Sequence, residues 1–465
     1  MLGWEIVKEK KDYLLSIPPI SKEEEEIIVE ITKLFKEESK NKDISSKNVR
    51  KEIAELLIDY CKYHHISLDP DQEKYFVNYL MYNIYGYNGI EEFLQDSNIE
   101  EIAVIGVDKP VYVYHTDKGW LETNLKFRNQ ETAISVINKI ARQVGRRITY
   151  QNPKINAVLP DGSRLHASIP PISNLEMTIR KFRSNPITPV ELFQKKIYSL
   201  DAIAFLSLVF QSDFNILIAG NTSSGKTTTL NAMFSFVPLT DRILIIEETP
   251  EINIPHPHKI NLLSNPELKI NMKSLVEDSL RMRPDRVIVG EIRTKEETEA
   301  FIETILSGQA RGSYATFHAQ SSEELIKRML TLGISKHDVT SIDFIVIQRR
   351  LMRYDPNTRK YWEERKGIEL AEMNSEGEIN KIFQIDRKTG DMVGDPSKSS
   401  KYEDIALSFG MTKKELNEEL NFRKEFLSSF QKHSFHDFVF KVQEKFFSNV
   451  KLSLSPNMTN QLSIY

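Results

Sequence analysis

Nine consecutive residues, Gly220-Asn221-Thr222-Ser223-Ser224-Gly225-Lys226-Thr227-Thr228, combine glycines, a lysine and hydroxyls in the spacing G-x-x-x-x-G-K-[ST]. Gly220 and Gly225 permit backbone angles and close approaches that a Cβ would block, so successive N–H groups can turn inward around a phosphate. Lys226 is long enough to reach β- and γ-phosphates, and the Thr227 hydroxyl can ligate Mg2+. The chemistry is Mg2+-assisted nucleotide binding, and the loop alone does not distinguish a kinase from a GTPase or a motor. Three later segments end in groups able to act on a bound triphosphate. "RILIIEETPEI" leads into Glu247 and Glu248, "LRMRPDRVIVGEIR" into Glu291 and Arg293, and "GSYATFHAQSS" into Thr316 and His318. A carboxylate at such a position serves either as metal ligand or as catalytic base, and its residue type does not say which.

These groups need elements that bring them together. Ile216–Ala219 is an apolar strand running into the phosphate loop, and the helix expected from Lys226 adds the positive end of its dipole. Between about 199 and 352, apolar runs of four to six residues alternate with helical stretches, the pattern of a parallel sheet covered by helices. Ligands in such sheets sit at the C-terminal ends of the strands. Four strands thus deliver a phosphate loop, a carboxylate pair, another carboxylate and an imidazole to one edge. Singly, each acid also fits a helix cap and the histidine a structural hydrogen bond; it is their convergence that argues for a site.

The remaining chain divides by composition. Residues 1–95 read as a helical extension, with Ser21 as an N-cap and Ile27, Ile28, Ile31 and Leu34 at helical spacing; a second helix is expected over about 46–64 and a third over 70–86. Residues 96–183 read as an α+β domain, a β-meander followed by a helix ending at Gly145 and three more strands. This domain carries Arg146, Arg147, Arg164 and Arg180 beside turns or strand ends. Residues 184–198 suit a linker, with Thr188 a cap candidate, and 199–352 form the α/β core. The last part, 353–465, belongs to a C-terminal β-hairpin and helical region; the hairpin pattern runs over 343–394, and Thr412 opens a capping box.

Composition bounds the function. A net charge of −4 gives no bulk electrostatic reason to bind nucleic acid. The single cysteine, Cys61, excludes an internal disulfide and a cysteine zinc module. No apolar run has bilayer-spanning length and the N-terminus lacks a signal-peptide pattern, so a cytoplasmic protein is expected, with any membrane association made through a partner.

Gly220–Thr228, "IIEETPE", "LRMRPDRVIVGEIR" and "ATFHA" together resemble the Walker A, aspartate box, Walker B and histidine box of the type II/type IV secretion ATPase superfamily. Upstream, "NIEEIAVIGVDKPVYVYH", "GWLETNLKF" and "AVLPDGSRLHASIPPIS…MTIRKF" resemble the archaeal branch, whose members drive archaella and archaeal pili. The resemblance covers about 70–352 and implies a RecA-like P-loop NTPase domain behind an α+β N-terminal domain. It implies that Glu247 orients the attacking water, that Glu291 sits by the metal with Thr227, and that His318 senses the γ-phosphate. Arg293 is then the tether of that carboxylate or of a phosphate, and Arg164 and Arg180 are the preferred arginine-finger pair. It further implies a homohexamer working on a polytopic membrane platform protein at the inner face of the cell membrane. The sequence departs from the family at Glu248, where Asp is usual, and at Thr294, where bacterial members often have Asp. Against this motor stand a RecA-like nucleic-acid translocase, a conjugation-type secretion ATPase, and a nucleotide-gated scaffold with little turnover.

Overall fold

The structure, a computed structural model, describes residues 2–7, 11–16, 19–39, 49–183, 185–265, 268–374, 376–430 and 434–447. The chain divides into two compact units, Met1–Arg183 and Ser184–Thr459, each with its own core.

Alternating apolar residues build the first unit's seven-stranded sheet. Its strands are β1 (Trp4–Ile6), β2 (Ile99–Val104), β3 (Pro110–His115), β4 (Gly119–Phe127), β5 (Lys154–Val158), β6 (Arg164–Ser168) and β7 (Glu176–Arg180). They lie in the order β1-β4-β3-β2-β7-β6-β5, all antiparallel. The helices are α1 (Lys22–Glu38), α2 (Val49–Tyr63), α3 (Pro70–Ile84), α4 (Ile90–Gln95) and α5 (Gln130–Ala141). Ser21 caps α1 in a capping box with Glu24, and Asp69 caps α3 ahead of Pro70.

The segment 1–95, helical by its sequence pattern, also contributes an edge strand. β1 pairs with β4, Trp4 stacks on Tyr79 at 4.9 Å, and Ile28, Ile53, Phe76 and Leu80 join the core of the sheet. The reason is hydrophobic: each fully buried aliphatic contributes about 1.5–3 kcal/mol, and the sheet face is the partner that α1–α3 find. Residues 46–48, where the second helix was expected to begin, lie outside the described residues.

In the second unit the strands are β8 (Ile216–Gly220), β9 (Ile243–Glu247), β10 (Lys259–Leu263), β11 (Arg286–Ile292), β12 (Gly312–Phe317), β13 (Phe344–Asp355), β14 (Lys360–Met373), β15 (Ile379–Ile385) and β16 (Met392–Gly394). Their order is β10-β9-β11-β12-β8-β13-β14-β15-β16; β10 to β13 are parallel neighbours and β13 to β16 antiparallel. This is the α/β architecture of a RecA-like P-loop domain. The helices are α6 (Pro189–Gln194), α7 (Leu200–Gln211), α8 (Lys226–Met233), α9 (Met272–Ser279), α10 (Lys295–Leu306), α11 (Ser322–Thr331), α12 (Lys336–Val339), α13 (Tyr402–Ser408), α14 (Lys413–Ser428) and α15 (Phe435–Phe446).

Because successive strand residues face opposite sides, Ile216 and Ile218 enter one core with α7, α14 and α15, whereas Leu217 and Ala219 enter the other with α9, α10 and α11. Both faces are covered, which explains the continuous apolar strands. The α/β core was expected to end at 352, but β13 runs on to Asp355 and β14–β16 extend the same sheet. β13 is parallel to β8 over its first residues and only then becomes one arm of the expected hairpin. The aromatic tail packs on this body: Phe438 and Val442 are buried, and Gln443 Nε2 donates to Ser235 O and Val237 O at 3.1 and 2.9 Å. Residues 448–465 lie outside the described residues. Among the described residues, no helix is long and apolar enough to cross a membrane.

Candidate active site

The phosphate loop occupies the C-terminal end of β8. Ser223 and Gly225 take left-handed φ of +59° and +97°, and α8 begins at Lys226. Backbone angles that alternate in hand turn consecutive N–H groups to one side and make a concave anion seat. The first N–H groups of α8 have no partner inside the helix, so they complete it. The glycines are needed sterically as well. A Cβ on Gly220 would collide with the Gln348 carbonyl oxygen, and one on Gly225 would lie 2.9 Å from Gln348 Nε2. The Asn221 side chain anchors the loop to β13, accepting from Arg350 N at 2.8 Å and donating to Arg350 O at 3.0 Å. Thr229, one residue beyond the motif, donates to Gln348 Oε1 at 2.7 Å.

Lys226 is 7% exposed, with Nζ 3.4 Å from Gly220 O and 3.7 Å from Glu291 Oε1. Glu291 reaches this position through a bulge. β11 and β12 are in register at Val289–Ala315 and again at Glu291–Thr316, so Gly290 is the extra residue. Such a bulge re-aims the side chain that follows it. The Glu291 carboxylate pairs with His318 Nε2 and accepts from Arg293 Nε at 2.9 Å. Arg293 NH1 also lies 3.5 Å from Glu248 Oε2, so the guanidinium ties two strand-end acids together. Thr294 is the N-cap of α10 in a capping box with Glu297, which accounts for a hydroxyl residue after "GEIR".

Burial alone would raise the Glu291 pKa, but His318, Arg293 and Lys226 outweigh it and hold the carboxyl at about 2. A folded-state pKa below the unfolded one gives stability that is complete above the ordinary value of 4.5 and fades as pH falls toward 2. Wild-type protein is therefore expected to melt above Glu291→Gln near neutral pH, with the gap in Tm shrinking as buffer pH drops below 4.5. Thermal melts of both proteins across that range check this.

Glu247 and Glu251 differ in a way the sequence did not reveal. Glu247 is 3% exposed, and its Oε1 accepts from the backbone N–H groups of Glu251 and Ile252 at 2.8 and 2.9 Å. Its carboxylate holds the turn after β9. Glu251, four residues on, is half-buried, and its Oε2 accepts from Thr227 Oγ1 at 2.8 Å. Asn231 Nδ2 fastens the same segment by donating to Glu251 O at 3.2 Å. The carboxylate at the Thr227 hydroxyl is thus Glu251 rather than Glu247. The available signal was the third acid of "EETPE", set beyond Pro250, where the strand has ended and the chain turns back.

The oxygen donors of Thr227 and Glu291 suit a hard divalent cation shared with phosphates, with the Glu251 carboxylate beside Thr227, and the glycine cradle suits the phosphates themselves. Gly220–Thr228, Glu291, His318 and Arg293 all belong to the second unit. Arg164 and Arg180 belong to the first, where they face each other in register across β6 and β7. Arg180 is exposed and Arg164 half-buried.

The sequence profile described as "Type II/IV secretion system protein" matches residues 86–393, more than half of the 465. An uncharacterized protein of Methanocaldococcus jannaschii is 40% identical over 229 residues, which are 46% of this chain and 32% of that relative. The type IV secretion system protein VirB11 of Bartonella quintana is 29% identical over 286 residues, 52% of this chain and 78% of VirB11. Among solved structures, the VirB11 ATPase of the Brucella suis type IV secretion system is similar at 24% identity and a TM-score of 0.31. That similarity covers 60% of this chain and 91% of the other. The chain spans about a third of the Methanocaldococcus relative's length.

Proposed function

The chain belongs to the type II/IV secretion system protein family, and from that membership and the site geometry we propose that it is a motor that hydrolyses Mg-ATP. The observation that carries this reading is the convergence at one sheet edge of Lys226, Glu291, His318 and the Thr227–Glu251 pair around a cradle of glycines.

Each residue then has a task. The loop N–H groups and Lys226 neutralise the β/γ-phosphates, and Thr227 supplies one oxygen to the metal. Mg2+, when bound, would screen the phosphate charge and polarise the leaving oxygen. Glu251, beside Thr227, is the acceptor for the proton of the attacking water, the role the family resemblance implied for Glu247. Glu291 is fixed by Arg293, and His318, just beyond the end of β12, registers whether the γ-phosphate is present. Arg164 and Arg180 of the first unit are the proposed arginine donors to the phosphates, drawn in while ATP is intact and released when phosphate leaves. A ring of identical subunits, a homohexamer, would turn these closures into rotation or a stroke. The recipient is a polytopic membrane platform protein of an archaeal pilus-like or archaellum machine, and the chain would lie against the cytoplasmic face of the membrane through that partner. Similarity to VirB11 supports a second reading, a conjugation-type secretion motor with the same hydrolytic chemistry.

Steady-state phosphate release from Mg-ATP, with and without single-stranded DNA, tests the proposal. Turnover independent of DNA is expected. Strong stimulation by DNA would transfer the chain to the nucleic-acid translocases, and absence of turnover would leave a nucleotide-gated scaffold.

A further inference from the structure

The phosphate loop does not hold its shape alone. Its outer side lies against the ribbon formed by β13 and β14, whose residues come more than a hundred positions later in the chain. Gln348 of β13 is in register with Gly220, and Arg350 of β13 is paired with Arg365 of β14. The Arg365 side chain crosses to the loop, and its Nε donates to Ser223 O at 3.0 Å, with Cδ 3.9 Å from where a Cβ on Gly225 would lie. Ser223 is the non-glycine residue held at a left-handed φ of +59° in the loop. Such a conformation is disfavoured for a residue with a side chain and persists where the surroundings over-determine it.

The peptide unit joining Ser223 to Ser224 is rigid and planar, so fixing its two ends fixes its orientation. One end is the Ser223 carbonyl on Arg365; the other is Ser224 N–H, which donates to Asn221 O at 3.2 Å. Asn221 is itself fastened through its side chain to the backbone of Arg350. The turn that presents the donors of Gly225 to Thr228 is therefore clamped from outside at Arg350 and Arg365, two residues paired on one face of the ribbon.

We infer that Arg365 is a positioning residue for nucleotide binding: its Nε–H, acting on the Ser223 carbonyl, keeps the phosphate loop in its binding shape before nucleotide arrives. The inference rests on the nucleotide reading of the loop. It requires the N–H donor at that atom and not the guanidinium charge, which makes it separable from a phosphate-contacting arginine. Glutamine places its Nε2 at the same atom of the side chain as arginine Nε, whereas methionine matches the length without a donor.

The test is titration of the full-length protein with a fluorescent mant-ADP probe, with Tm and the kinetics of phosphate release measured alongside. Arg365→Met is expected to weaken mant-ADP binding about tenfold, the effect of one lost hydrogen bond to a constrained carbonyl. KM should rise by a similar factor and kcat fall by less. Arg365→Gln is expected to bind within about twofold of wild type, because one neutral donor suffices. Unchanged binding by Arg365→Met overturns the inference, even if its Tm falls, because the contact would then be structural only. Equal weakening by Gln and Met also overturns it and makes the charge the agent. A wild-type protein that binds no mant-ADP overturns the nucleotide reading and this inference with it, whereas wild-type binding with an unaffected Met variant removes this inference alone.

Discussion

Glu251→Gln is expected to bind Mg-ATP like wild type and to lose roughly 10²–10⁴-fold in kcat, the range expected when a positioned proton acceptor is removed. The prediction follows from one contact. Glu251 Oε2 takes the hydrogen bond from Thr227 Oγ1 at 2.8 Å, so its carboxylate lies beside the hydroxyl that would hold the metal. Glutamine keeps the shape and can still accept from Thr227, but it is far too weak a base to take a proton from water. Binding survives because the cradle and Lys226 are untouched. Phosphate release under single-turnover conditions, beside a mant-ATP titration, separates the two effects: a variant that binds normally and turns over at the wild-type rate removes Glu251 from the chemistry.

Lys226→Ala is the second large effect, with kcat/KM for ATP falling by roughly 10³-fold, about 4 kcal/mol of lost electrostatic stabilisation. The ammonium is buried, so its attraction for phosphate is weakly screened. Contacts with Gly220 O and Glu291 Oε1 place it between the start of the loop and the strand-end acid. Removing it also takes one cation from Glu291, which His318 and Arg293 continue to hold. The fold should survive and nucleotide affinity should not. Titration of mant-ATP with a circular dichroism control checks this, and a variant that binds ATP at wild-type affinity would move the phosphate site elsewhere.

Much of this site was legible because its constraints are local. Two glycines and a lysine at fixed spacing after an apolar strand encode the positive φ at Gly225 and the helix start at Lys226. Glu291 and His318 were legible because aliphatic runs point to strand ends, and parallel strands share an edge. What escaped depended on contacts between distant segments or on backbone irregularity. Nothing in "IIEETPE" tells that Glu247 folds back onto the amides of Glu251 and Ile252, leaving the later acid to meet Thr227. The bulge at Gly290 breaks no hydrophobic pattern, since Val289 and Ile292 are both buried. Likewise, residues 343–394 read as a hairpin because pairing between β13 and β14 is local in sequence. The parallel pairing of β13 with β8, which brings Gln348 and Arg350 to the phosphate loop, spans more than a hundred residues and leaves no periodic trace.

Hydrolysis turns on which acid at or beyond the end of β9 faces the attacking water. The most direct test of the assignment to Glu251 is the ratio of kcat for Glu247→Gln to kcat for Glu251→Gln at saturating Mg-ATP. Glutamine at 247 keeps an oxygen for the two amides it now serves, so turnover within about tenfold of wild type is expected there, and a ratio of roughly 10 to 10⁴. A Glu247→Gln protein that melts normally yet cannot release phosphate, beside a Glu251→Gln protein that still can, would contradict that assignment.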